Sequence, residues 1–176
     1  GVLSVCEERN YFHFPSRSCG AEGNARLPAL VAQWVREVFG VEAKPYIAPL
    51  SNAAEPVGIT VSLGVGENLE KRAGGEFEKE LLRVLAETGE TVLVDKGGSA
   101  DERARVERAL VPGMLTHEGE FAPFAARIAE SKLFVGYDSA GGHVASACSV
   151  PLISIAKGFV SERMAARWRP LGSVIS

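Results

Sequence analysis

The sequence predicts an α/β fold: a parallel sheet with helices on both faces. Two observations carry this. From Val57 onward, short apolar runs rich in β-branched residues alternate with amphipathic segments of helix length, the pattern of a covered parallel sheet. Three of these runs end in a polar turn that leads into a helix. In a parallel sheet such turns share one edge, the place where open α/β sheets bind ligands.

Leu27, Leu30, Val31, Trp34, Val35 and Val38 fall at helical spacing over residues 27–39, with Gly40 as a stop. Residues 44–56 hold three prolines in a polar stretch and read as a linker or extended crossing segment. Val57 to Leu63 is a strand. Phe77, Leu81, Val84 and Leu85 mark a helix closed by Gly89. Thr91 to Asp95 is the next strand. Ser99 to Leu110 is a helix opened by a capping box of Ser99 and Glu102. Met114 to Thr116 reads as a short strand. Phe121, Phe124, Ala125 and Ile128 line one face of a third helix. Leu133 to Tyr137 is a strand, Gly142 to Cys148 a short helix and Leu152 to Ile155 a fifth strand. The domain division expected is 1–56, an N-terminal strand, helix and linker, and 57–176, the sheet domain. Gly1 to Cys6 and Gly172 to Ser176 read as strands cut from a larger sheet. With no initiator Met, this suggests a piece of a longer protein, a processed terminus being the alternative.

The composition excludes several classes. Of 176 residues, 46% are apolar and 23% charged, as in a soluble globular core. The net charge of −3, with both signs scattered, argues against nucleic acid as a partner, which calls for a basic stripe. There is no apolar run of membrane-spanning length. No basic segment followed by an apolar one opens the chain, so a secretory leader is not expected. Cys6, Cys19 and Cys148 are odd in number, far apart and without metal-ligand spacing, which points to a reducing cytoplasm and no bound metal.

Chemistry concentrates in the three turns. Gly64, Val65, Gly66, Glu67 and Asn68 follow the first strand, with Lys71 and Arg72 beyond. Glycines there let backbone approach an anion, a helix N-terminus adds unpaired N–H groups, and the two cations can neutralise phosphate. The spacing fits neither a Walker A loop nor the dinucleotide fingerprint; a solvated surface loop is the plain alternative. After the second strand, Glu102 could hold ribose hydroxyls, although its capping role already explains it. After the fourth, Asp138 could accept from sugar hydroxyls, while Ser139, Gly141 and Gly142 present donors to a diphosphate and His143 lies beside them. A helix cap at Asp138 or Ser139 and a packed His143 are the alternatives. No Asp-x-Asp metal clamp and no nucleophile elbow occur.

Together these segments resemble the C-terminal half of the bacterial heptosyltransferases, glycosyltransferase family 9, of GT-B architecture. The matching pieces are Ser62 to Arg72, Asp95 to Glu102, and Asp138 to Ala147 followed by Pro151. The likeness covers about residues 57–172, and the helix at 27–39 is similar to the family's interdomain segment. It implies a Rossmann-like domain, one half of a GT-B fold, that binds a nucleotide-sugar donor. The family transfers a sugar, typically heptose from an ADP-linked donor, to growing lipopolysaccharide. By resemblance Gly64, Gly66, Asn68, Lys71 and Arg72 face the diphosphate and Glu102 the ribose. Thr116 to Gly119 flank the base, and Asp138 with Ser139, Gly141, Gly142 and His143 holds the sugar and diphosphate. No metal is implied. The implied acceptor is a glycolipid, the location cytoplasmic, with peripheral contact with the inner membrane left open. The family's catalytic base and acceptor site lie in an N-terminal domain, so the catalytic residues are expected outside this chain. One departure is Ile155 to Phe159, where the family carries a Phe-Gly loop. A nucleotide-sugar epimerase and a non-catalytic nucleotide-binding module of the same fold stand as alternatives.

Overall fold

The computed structural model describes residues 25–50, 55–66, 68–157, 162–170 and 174–175. Chain contacts divide these into two units. One holds residues 25–45 and 162–169; the other holds 46–158, as far as described, with 170 and 174–175.

In the first unit, α1 (Leu27–Phe39) starts with a proline in its first turn and ends on Gly40, whose φ of 67° supplies the left-handed cap. Its apolar residues follow the predicted spacing, yet none of them is buried. A short helix over Glu162–Trp168 also belongs to this unit. The predicted strand at Gly1–Cys6 lies outside the described residues.

The second unit is the sheet domain. Six described strands form one parallel sheet: β1 (Ile59–Ser62), β2 (Val92–Asp95), β3 (Leu115–His117), β4 (Leu133–Tyr137), β5 (Leu152–Ile155) and β6 (Val174–Ile175). Their order is β3-β2-β1-β4-β5-β6, and every neighbouring pair is parallel. The chain therefore winds outward from β1 in one direction and from β4 in the other. The direction changes between these two strands, and there the ends of Ser62 and Gly136 lie in register. That crevice is the topological switch point of an open sheet.

The helices between strands are α2 (Gly75–Ala86), α3 (Ala100–Ala109), α4 (Phe121–Ala129) and α5 (Ala140–Ala147). Strand alternation sends side chains to two separate cores. Ile59, Val61, Leu63, Val92, Val94, Val135 and Tyr137 pack with Leu82 and Leu85 of α2 and with Val106 and Ala109 of α3. On the other face Leu93, Phe134 and Leu152 pack with Phe124 and Ile128 of α4 and Val144 of α5. Burying each such large apolar side chain contributes about 1.5–3 kcal/mol, and this burial drives the layering.

The faces of two helices differ from the sequence reading. On α2 the core residues are Glu78, Leu82 and Leu85, while Phe77 and Val84 are exposed. A buried carboxylate on the core face misleads a hydrophobic count; its partners are described below. On α4 Phe121 is 48% exposed, its ring meeting only the edge of Phe124 with centres 6.3 Å apart. As the first residue of its helix it overhangs the carboxyl edge of the sheet.

Candidate functional site

A cleft of about 330 Å³ opens at the carboxyl ends of β1, β2 and β4. Of the residues singled out from sequence, Gly64, Gly66, Lys71, Glu102, Asp138, Ser139 and Gly141 line it together. The parallel sheet brings them there, since residues up to 77 positions apart stand on adjacent strand ends. Asn68, Arg72, Gly142 and His143 are not among its lining residues. The Asn68 carboxamide accepts the Glu70 N–H at 3.1 Å and caps the short 3-10 turn Leu69–Lys71. The Gly142 N–H is bonded to the Ser139 carbonyl at 3.2 Å within the first turn of α5.

Lys71 reaches across the cleft. Its ammonium donates to the Asp138 carbonyl at 3.1 Å and to its carboxylate at 2.8 Å. An ammonium has three N–H donors, so one remains for a ligand oxygen. Both side chains are mostly buried, with 29% and 22% exposed. The pair fixes the loop after β1 to the turn after β4. It also moderates the free positive charge that the sequence suggested for Lys71.

Glu102 keeps its capping contact and its side chain also lines the cleft. Its N–H donates to Ser99 Oγ at 3.1 Å, the first half of the capping box, and its carboxylate accepts the Gly98 N–H at 3.1 Å. The same carboxylate lies over Gly64, where an added Cβ would stand 2.9 Å from Oε1. A Cβ on Gly97, whose φ is +82°, would collide with the Glu102 side chain. Glycine is required there twice over, for the backbone angle and for the carboxylate.

Ser139 is the N-cap residue of α5, yet its side chain makes no cap hydrogen bond. Its Oγ is buried and has no hydrogen-bond partner among the described residues. Such a hydroxyl is costly to leave unpaired. The N–H groups of Ala140 and Gly141 in the first turn lack acceptors inside the helix, and the helix dipole adds partial positive charge there. Lys71 and the first turn of α5, Ser139 to Gly141, thus line a single cleft, an arrangement suited to an anion. The glycines of α5 have a second role. A Cβ on Gly141 would stand 2.6 Å from Phe134 Cζ, so its smallness also lets α5 approach β4.

The sequence reading gave no site role to several lining residues: Ser62, Val65, Asp95, Gly97, Gly98, Phe121 and Ala140. The signal for Asp95 was present, an acid ending a buried strand. Burial pushes its carboxyl above the ordinary range, and the Gly97 N–H pulls it back. Phe121 offers an exposed ring at the rim. Thr116 to Gly119 do not line the cleft; His117 instead stacks on Phe124 with ring centres 5.3 Å apart. Lys157 is exposed, and Gly158 to Phe159 of the altered loop lie outside the described residues. No group of three or more metal-ligating side chains occurs among the described residues. No described helix is long and apolar enough to cross a membrane.

Beneath the cleft lies a buried polar network that the sequence did not reveal. Glu78, 1% exposed, is paired with Arg105 and accepts the Tyr137 hydroxyl at 3.0 Å. Tyr137 Oη in turn accepts the Ala73 N–H at 3.1 Å. Arg105 also donates to the Leu63 carbonyl at 2.8 Å. Burial, above all, pushes the Tyr137 phenol up to about 12, so it stays protonated and donating at neutral pH. A larger cavity, about 620 Å³, lies between the outer sides of α2 and α3. It is away from the strand ends, and Arg83 on its wall is already paired with Glu80 and Glu87.

The family model for glycosyltransferase family 9 (heptosyltransferase) matches residues 73–171. No curated protein sequence shows a significant match. Among solved structures the chain is similar to a glycosyl transferase family 9 protein from Veillonella parvula, at 13% identity and a TM-score of 0.69, covering 94% of this chain and 52% of that one. It is also similar to E. coli heptosyltransferase WaaC with ADP-2-deoxy-2-fluoro heptose, at 21% identity and a TM-score of 0.56, covering 69% and 42%. E. coli ADP-heptose lps heptosyltransferase II follows at 24% identity and 0.54, covering 70% and 39%. The chain thus spans about half the length of these proteins or less.

Proposed function

The chain belongs to glycosyltransferase family 9, and on that premise we propose that its sheet domain, residues 57–176, is the donor-binding half of a heptosyltransferase. The donor is a nucleoside diphosphate sugar, ADP-heptose in the first instance, as two E. coli neighbours suggest by analogy. The acceptor is a glycolipid of the lipopolysaccharide type, met at the cytoplasmic side of the inner membrane.

The observation that carries this reading is that Lys71, held by Asp138, and the first turn of α5 line one cleft at the switch point. Cleaving the bond from the anomeric carbon to the diphosphate leaves negative charge on the leaving group. Fixed donors stabilise that charge where it develops. In this reading Lys71 and α5 take the diphosphate, with Gly64 and Gly66 giving it room. Glu102 accepts from the ribose hydroxyls, and Asp138 from a sugar hydroxyl. Attack by the acceptor from the opposite face inverts the anomeric centre, with the base supplied by the partner domain of the whole enzyme. Asn68 and Arg72 take part only through a shift of the loop after β1, and Gly142 and His143 only through α5, which carries them.

Calorimetric titration of the chain with ADP, UDP, GDP and dTDP tests this. Selective ADP binding is expected. Selectivity for another base would retain a sugar nucleotide site and discard the ADP-linked donor. No binding at millimolar ligand would overturn the donor-site reading for this chain.

A further inference from the structure

The network of Glu78, Arg105 and Tyr137 joins two places in the chain that matter to the cleft. Arg105 holds the carbonyl of Leu63, where the loop after β1 begins. Tyr137 holds the N–H of Ala73, just past the 3-10 turn that carries Lys71. Glu78 is bonded to both holders. The intervening loop carries Gly64, Gly66 and Lys71, all on the cleft. Arg105 also stands 3.7 Å from the Glu102 carboxylate.

We propose that Glu78, Arg105 and Tyr137 are positioning residues: a clamp that fixes both ends of the loop 64–72 and thereby presents Lys71 and the loop backbone to a diphosphate. The chemistry requires these residue types. The loop's start offers an acceptor and its end a donor. A guanidinium can serve the first while pairing with a carboxylate. A hydroxyl can accept from Ala73 and donate to the same carboxylate through a single atom. A buried ion pair that served core stability alone would be replaceable by apolar side chains at little loss. This one ends on loop backbone instead.

The inference rests on the donor-site reading for its ligand, but not for its geometry. The test therefore has two readouts, made on the 176-residue chain with Tyr137→Phe and Arg105→Met. Hydrogen exchange without ligand reads the clamp. In Tyr137→Phe, amides of residues 68–74 are expected to exchange about tenfold faster, the loss of one hydrogen bond. Those of Thr60, Val61 and Val135 in the sheet should be unchanged. Titration with ADP reads the consequence, an affinity about tenfold weaker in both variants. Unchanged exchange in the loop, equal acceleration through the sheet, or a released loop with undiminished ADP affinity would each overturn the clamp. Should Arg105→Met fail to fold, Tyr137→Phe, which keeps the ring in the core, decides alone. A parent chain that fails to bind ADP while Tyr137→Phe still frees the loop would sink the donor-site reading and the clamp's ligand, and leave the loop geometry standing.

Discussion

Lys71 and Asp138 were separate candidates in the sequence, one for phosphate and one for sugar; in the fold they are a pair. Lys71→Ala removes a donor of the proposed diphosphate site and frees Asp138. ADP affinity is expected to fall about tenfold by calorimetry, the loss of one charge-assisted hydrogen bond. Stability should fall by only about 1 kcal/mol in urea titration, because the pair is partly solvated. Asp95 gives a pH prediction. Burial holds its carboxyl above the ordinary 3.8. Between the ordinary and the raised value the folded state binds more protons than the unfolded one, so stability falls as pH rises through that window. Above the window the cost is constant. Asp95→Asn should therefore raise the thermal midpoint at pH 7, and lose that advantage below pH 3.8, as followed by circular dichroism. The residue types of the site were legible because each stands at a strand end. Their pairings were not, since Lys71 and Asp138 are 67 positions apart.

At the scale of elements, the strands and helices followed from periodicity and capping residues, and Ser99 with Glu102 marked the start of α3. Helix faces were less legible. A hydrophobic count on α2 chose Phe77 and Val84, because nothing local shows that Glu78 has Arg105 and Tyr137 as buried partners. The glycines of α5 were read for a ligand, and the packing shows a second demand. Gly141→Ala would set a methyl 2.6 Å from Phe134 Cζ. It should force α5 away from β4 and cost about 1–3 kcal/mol in denaturant unfolding, with ADP binding weakened as Ser139 moves. Gly66, by contrast, has open space for a Cβ, and only its φ of +60° resists substitution. Gly66→Ala is expected to cost about 1–2 kcal/mol and no packing.

At the scale of the molecule, the proposed charge stabilisation by a lysine and a helix N-terminus would call for no divalent cation. ADP affinity is expected to be the same with and without a chelator, measured by the same calorimetry. A tenfold loss on chelation would require metal ligands not gathered by the described residues. The sequence by itself determined the α/β class, the number of layers and the edge of the sheet that carries the chemistry. These are local or periodic properties: apolar runs, caps, and turns that recur after each strand. Tertiary structure decided the strand order that puts β1 beside β4, and with it the pairing of Lys71 with Asp138. It also decided which of the candidate residues share one cleft, and that a buried Glu78 is bonded to the two residues holding the loop's ends. Those depend on which distant segments meet. Such meetings are set by the packing of two cores across the sheet, which no window of sequence contains.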